Sequence, residues 1–140
     1  MSGPRRFAEG TSVPVDRSRS EIERLVRVHG ATTFLSAWQK DRFVVIFEMR
    51  GKRVRLDVPA PDHKRFNTQD KWDREERRRW RVLLLLLKSK LEMVASGDAD
   101  FDAEFLAYLT LPNGTTVGAR VLQDLEATLS GKPMPPLLGA

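Results

Sequence analysis

Few side chains in this sequence can do acid–base, nucleophilic or metal chemistry. There are two histidines, His29 and His63, and no cysteine. That excludes a thiol nucleophile, a disulfide framework and any zinc site with a cysteine ligand. The densest carboxylate run, Asp98, Asp100, Asp102 and Glu104, opens like a calcium-binding loop. Such a loop needs glycine at its sixth position and glutamate at its twelfth; counting from Asp98, Ala103 and Leu109 stand there. Acids at a helix N-terminus, where the dipole favours negative charge, account for the run better. Gly114 and Gly118 lead into Ala119 and Arg120, which does not make a phosphate loop. No G-x-S-x-G turn is present. Asp62, Asp70 and Lys71 lack the D/E-x-K spacing of metal-dependent nucleases. The expectation is a non-enzyme with no catalytic residue, metal or cofactor.

Cations are a different matter. Residues 1–91 hold 22 Lys and Arg against 12 Asp and Glu, a net of +10, while residues 92–140 hold 2 against 7, a net of −5. Such asymmetry points to a polyanionic partner for one half, or to attraction between the halves. Arg74, Arg77, Arg78 and Arg81 fall on one flank of a predicted helix at about 100° per residue. Asp73, Glu75 and Glu76 on the same helix offer partial pairing. Arg42, Arg50, Lys52, Arg53 and Arg55 cluster near one predicted hairpin, and Arg5 and Arg6 lie on an N-terminal arm. Together these form a candidate phosphate-tracking surface for DNA or RNA. Trp38 and Trp72 are the candidate base-stacking residues, set against a core or interface role. Trp80 sits on an apolar stripe and reads as core.

The elements that must position these residues can be read from pattern. Residues 1–16 form a flexible basic arm, 17–132 a single α+β domain, and 133–140 a Pro-rich extended tail. Ser18 and Glu21 fit a capping box and Gly30 a helix stop, predicting a first helix over about 18–29. Thr32–Trp38, Arg42–Arg50 and Arg53–Val58 read as an antiparallel three-stranded meander joined at Lys40-Asp41 and Gly51-Lys52. In the third strand Val54, Leu56 and Val58 alternate with charged residues, so one face is wet. The second strand is apolar on both faces, which makes it central or gives its second face a partner. Trp72, Trp80, Leu83, Leu84, Leu87, Leu91 and Val94 predict a long amphipathic helix over about 68–96, with two flanking helices packed alongside. The last helix follows the Pro112-Asn113-Gly114 turn and is expected to face Val117, Val121, Leu125 and Leu129 inward. The longest apolar run, Val82–Leu87, is far short of the ~20 residues that span a bilayer. With no targeting segment in view, the expectation is a soluble, cytoplasmic protein without membrane contact.

The Met1–Ser12 arm, the Arg77-Arg78-Arg79-Trp80-Arg81 helix, the Leu111–Gly118 segment and the Met134-Pro135-Pro136-Leu137-Leu138 ending resemble a family of small proteins encoded by tailed bacteriophages and prophages. The resemblance implies a phage setting and a bacterial host cytoplasm, and assigns no functional residues. Two functions follow as expectations. One is a non-catalytic nucleic-acid-binding accessory protein using the basic helix and hairpin. The other is a protein-binding module, a homodimer or a host-interaction or anti-defence factor bound to a host or phage protein, without nucleic-acid contact.

Overall fold

The computed structural model describes residues 6–133. Arg5 and the Pro-Leu tail from Met134 onward lie outside the described residues. The chain is α+β, with an antiparallel three-stranded sheet in the order β1-β2-β3. The strands are β1 (Thr33–Gln39), β2 (Arg42–Met49) and β3 (Lys52–Pro59). The helices are α1 (Val15–Val28), α2 (Gln69–Ala95), the single turn α3 (Phe101–Glu104) and α4 (Val117–Leu129), with a 3-10 turn at Leu106–Tyr108 between the last two.

Period-two alternation builds the sheet. Phe43, Val45, Phe47 and Met49 of β2 and Val54 and Leu56 of β3 turn to one face and are buried. That face meets Ile22 and Val26 of α1, then Trp80, Leu83, Leu87 and Leu91 of α2, with Phe101 and Phe105 closing the far end. α2 is about 40 Å long at about 1.5 Å per residue. Its N-cap is Thr68, whose hydroxyl accepts from the Lys71 amide at 3.1 Å. β2 is the central strand, as its two apolar faces require. Its outer face carries Val44, only 2% exposed yet outside the core cluster. Val44 lies between Ala37 and Asp57 across the sheet, beside Leu35 and Ile46.

Three local expectations are corrected. The second hairpin turns at Arg50-Gly51 rather than Gly51-Lys52, because Met49 pairs with Lys52. Both turn residues have positive φ, 53° and 73°, as tight hairpins favour, and the Arg50 guanidinium rests 5.4 Å from the Phe101 ring centre.

Ser18 does not cap α1. The helix starts at Val15 with Pro14 as N-cap, and the Pro14 carbonyl accepts from the Ser18 amide at 3.2 Å. Ser18 shares a face with Ile22 and Val26 and is fully buried, while Glu21 is held by Arg81 instead. The Ser18 hydroxyl has no hydrogen-bond partner, and such an unmet group costs about 1–3 kcal/mol. Ser18→Ala is therefore expected to be neutral or to stabilise the fold, read as the midpoint of urea unfolding; a loss above about 1 kcal/mol would show that the hydroxyl is satisfied.

α4 does not bury its leucines. Val117 and Val121 are half-buried, but Leu125 is 37% and Leu129 77% exposed, and Leu122 is 67% exposed. The reason is a narrow footing. α4 is held at its first turn, where the Val117 amide bonds the Leu109 carbonyl at 2.9 Å. Gly118 presses on Ala107 so closely that a Cβ would come within 2.8 Å of the Ala107 carbonyl oxygen.

Candidate nucleic-acid interface

The structure divides the basic residues into those used to build the fold and those left over. Glu75 on α2, 4% exposed, gathers three guanidinium groups. Arg78 and Arg79 on the same helix bond its two oxygens, both at 2.9 Å, and Arg6 reaches it from the N-terminal segment at 3.2 Å. Burial pushes the Glu75 carboxyl up, but hydrogen bonds from Arg78 and Arg79 and the charges of Arg78 and Arg6 outweigh it and hold the pKa at about 2. Arg79 also donates to the Pro59 carbonyl at 2.6 Å, tying the end of β3 to α2. Arg81 makes a forked bond to Glu21 and so clamps α1 on α2. Arg77 donates to the Thr11 carbonyl at 3.3 Å. From Arg6 onward, the N-terminal segment is thus fastened to α2 rather than loose.

The hairpin cations are also occupied. Arg42 pairs with Asp41 at 3.0 Å and Asp57 at 3.2 Å, and Arg55 pairs with Asp57 at 2.8 Å. Burial raises the Asp57 carboxyl, and the hydrogen bonds from Arg55 and Arg42 more than reverse this, so its pKa lies below the ordinary value. Arg53 pairs with Glu48 at 2.9 Å, Arg74 with Asp70 at 2.7 Å, and Lys52 with Asp102. Lys52–Asp102 and Lys90–Glu104 are where the acidic C-terminal half meets the basic half. Exposed pairs of this kind are worth about 0–1 kcal/mol, so a phosphate can compete for Arg42, Arg53 or Arg74. It cannot take Arg6, Arg78 or Arg81 without loosening the fold.

Eight cations among the described residues, Arg24, Lys40, Arg50, Lys64, Arg65, Lys71, Lys88 and Lys132, make no ion pair and no side-chain hydrogen bond, and three of the lysines belong to segments that meet at one end of the sheet. Lys40 in the β1–β2 turn, Lys64 in the β3–α2 loop and Lys71 in the first turn of α2 are exposed. Their side chains make no hydrogen bond and no ion pair among the described residues. Nearby carboxylates have other partners: Asp41 bonds Arg42, Asp70 bonds Arg74, and Asp62 accepts from the Lys64 backbone amide at 3.0 Å. The Arg42 hydrogen bond and charge hold the Asp41 carboxyl below its usual value.

Between these lysines runs a line of aromatic rings. His63 stacks on Trp72, with ring centres 5.7 Å apart and planes inclined by 11°. Trp72 meets Trp38 edge-on at 6.2 Å, Trp38 meets Phe43 at 4.9 Å, and Phe43 meets Trp80 at 5.6 Å. The line runs from the core at Trp80, 4% exposed, through Trp38, 56% exposed, to Trp72 and the exposed His63. The Trp72 indole N–H donates to the Pro61 carbonyl at 3.1 Å, fixing the loop that carries His63 and Lys64. Arg65 and Arg79 lie over the Phe66 ring at 5.3 and 6.0 Å. Arg24 and Lys88 are unpaired too, but they line a shallow groove with Leu25, Val28 and Leu84 that holds no aromatic residue.

Of the residues singled out from the sequence, Trp38 and Trp72 come together here; Arg42 is at the same end of the sheet but bonds Asp57 on its outer face, and Arg74 pairs with Asp70 on α2. Arg6, Arg77, Arg78 and Arg81 are elsewhere, in the α1–α2 framework. Arg50, Lys52, Arg53 and Arg55 belong to the β2–β3 hairpin and β3. Lys40, Lys71 and His63 were not among the binding candidates, although a signal exists: Trp38, His63 and Trp72 each have a lysine within two positions, in Trp38-Gln39-Lys40, His63-Lys64 and Lys71-Trp72.

Beside Trp38 a cleft of about 460 Å³ runs between α1, β1 and α2, lined by Asp16, Arg19, Ser36, Phe43, Glu76 and Trp80 among others. Burial raises the Glu76 carboxyl, helped by the charges of Asp73 and Asp16 and opposed by Arg77. A carboxylate with a raised folded pKa favours folding while protonated and loses that contribution as pH rises through the folded value. Glu76→Gln is accordingly expected to raise the thermal midpoint at pH 7 and to change little at pH 4, in paired melts. A lower midpoint at pH 7 would mean the ionised carboxylate has a partner.

No helix among the described residues is long and apolar enough to cross a membrane, and no group of metal-ligating side chains is found among them. No protein-family model, curated protein or solved structure matches the chain.

Proposed function

We propose that the protein is a non-catalytic nucleic-acid-binding accessory protein, of the phage type that the sequence resemblance implies. It holds its ligand at the end of the sheet formed by the β1–β2 turn, the β3–α2 loop and the first turn of α2. The observation that carries this reading is the concentration of unpaired Lys40, Lys64 and Lys71 around exposed aromatic rings, in a fold that pairs most of its arginines internally. Free ammonium groups can neutralise phosphates without breaking an existing ion pair, and the counterions they release drive binding. Arg42, at the same end of the sheet but bonded to Asp57 on its outer face, and Arg74 are held in exposed, weak pairs for which a phosphate can compete. A fluorescence-anisotropy titration of labelled DNA and RNA, single- and double-stranded, at 50 mM and 200 mM salt tests it. Binding that weakens by roughly 10-fold or more over that range is expected for about three phosphate contacts. Salt-independent binding, or none at low salt, contradicts the proposal.

A second reading, a protein-binding module, is favoured by α4. This helix of 13 residues buries none of them, and Leu122, Leu125 and Leu129 share one exposed stripe. Helices of that length are marginal without packing, so a second copy or another protein is the natural cover. Leu122→Ser with Leu129→Ser is expected to abolish any dimer seen by light scattering; a dimer surviving both changes would place its interface elsewhere.

A further inference from the structure

We infer that the sheet-end platform takes single-stranded nucleic acid in preference to duplex, with a base stacked on Trp38; this rests on the nucleic-acid reading above and deepens it. The argument begins with the rings. A base can stack only on a flat face open to solvent, and Trp38, at 56%, is the most exposed tryptophan of the aromatic line. It meets Phe43 at 4.9 Å with the planes inclined by 51° and Trp72 edge-on at 6.2 Å, so the indole is braced on two sides before a ligand arrives. His63 lying parallel to Trp72 shows the same surface already accepting a flat heteroaromatic ring.

In duplex, bases are stacked on each other and their faces are closed. An exposed indole on a sheet end gains nothing from them, whereas it gains from an unstacked base of any identity. The cations are arranged for the same ligand. Lys40 sits two residues beyond Trp38, Lys71 immediately before Trp72, and Lys64 immediately after His63. The three segments that carry the rings therefore also carry the ammonium groups that can meet the phosphates flanking a stacked base. Lysines meet phosphate as point charges, and phosphate contacts carry no sequence information, so the expected ligand is a short, flexible strand bound with little sequence preference.

The experiment uses the full chain with a 12-nucleotide oligo(dT), a 12-nucleotide oligo(U) and a 12-base-pair duplex, at low salt. Tryptophan emission and anisotropy are followed for the wild type, Trp38→Ala and Trp38→Phe, with thermal melts confirming that the variants fold. The expected result is quenching by either single strand, and single-strand affinity at least 10-fold above that for the duplex. Trp38→Ala should lose roughly 10-fold in single-strand affinity and Trp38→Phe less, because a smaller ring still stacks. Equal affinity for duplex and single strand, with Trp38→Ala unchanged, overturns the inference and leaves the phosphate-contact reading standing. No binding of any of the three overturns both.

Discussion

Glu75→Gln destabilises the protein by about 3 kcal/mol at pH 7, and the deficit vanishes in acid. The magnitude follows from the carboxyl's folded pKa of about 2 against an ordinary 4.5, at about 1.36 kcal/mol per unit. A depressed carboxylate pKa contributes stability that is present above the unfolded value and is lost as pH falls through the folded one. The window is therefore from about pH 4.5 down to about pH 2. Urea unfolding of wild type and Glu75→Gln across pH 2–7 checks this: the two curves are furthest apart at neutral pH and converge near pH 2. A constant difference at all pH values would mean that the substitution acts through packing and not through charge. The effect is large because Glu75, 2% exposed at its side chain, is the common partner of Arg6, Arg78 and Arg79. Removing it leaves three guanidinium groups facing one another without a counter-charge.

Trp80→Ala is the second large effect, a loss of about 3–5 kcal/mol, as expected for truncating a buried aromatic ring. Trp80 joins α2 to the sheet through Phe43 and lies 6.0 Å beneath the Arg19 guanidinium. Its indole N–H is buried without a partner. Trp80→Phe therefore gives up packing area but no hydrogen bond, and its cost is expected to be less than half that of Trp80→Ala in the same urea series. Equal losses for the two would show that the indole N–H is satisfied. Since Trp38 rests on Phe43, which rests on Trp80, Trp80→Ala also loosens the inner end of the aromatic line.

How much of this was legible in the sequence depends on the range over which the deciding contacts act. Local periodicity settled the sheet and α2, because Val54 and Leu56 alternating with Arg53 and Arg55, or Leu83, Leu87 and Leu91 at helical spacing, allow one buried face each. Ser18 misled because its spacing to Glu21 suits a cap; Glu21 instead pairs with Arg17, four residues away, and with Arg81, 60 residues away, and no local pattern reveals the second. The stripe from Val117 to Leu129 in α4 looked like a core face because periodicity reports amphipathicity and not what covers it. The pairing of the basic residues escapes local patterns for the same reason. Arg78 and Arg81 stand out as a run, yet their part-buried ion pairs with Glu75 and Glu21 hold the framework together. The lysines left without partners are single residues spread over three segments, brought together only by the β1–β2 turn and the β3–α2 loop. Aromatic residues with a nearby lysine were the visible trace of the platform, weaker to the eye than four arginines on one helix.

The most direct measurement is a comparison of Lys40→Glu/Lys64→Glu/Lys71→Glu with Arg53→Ala/Arg55→Ala for binding labelled oligonucleotide at one low salt concentration. The lysine variant is expected to lose at least 100-fold in affinity, with its salt dependence reduced by about two to three contacts, while the arginine variant stays within about 3-fold of wild type. If the arginine variant loses affinity and the lysine variant binds as wild type, the interface is the outer face of the hairpin, and the sheet-end platform is not the site.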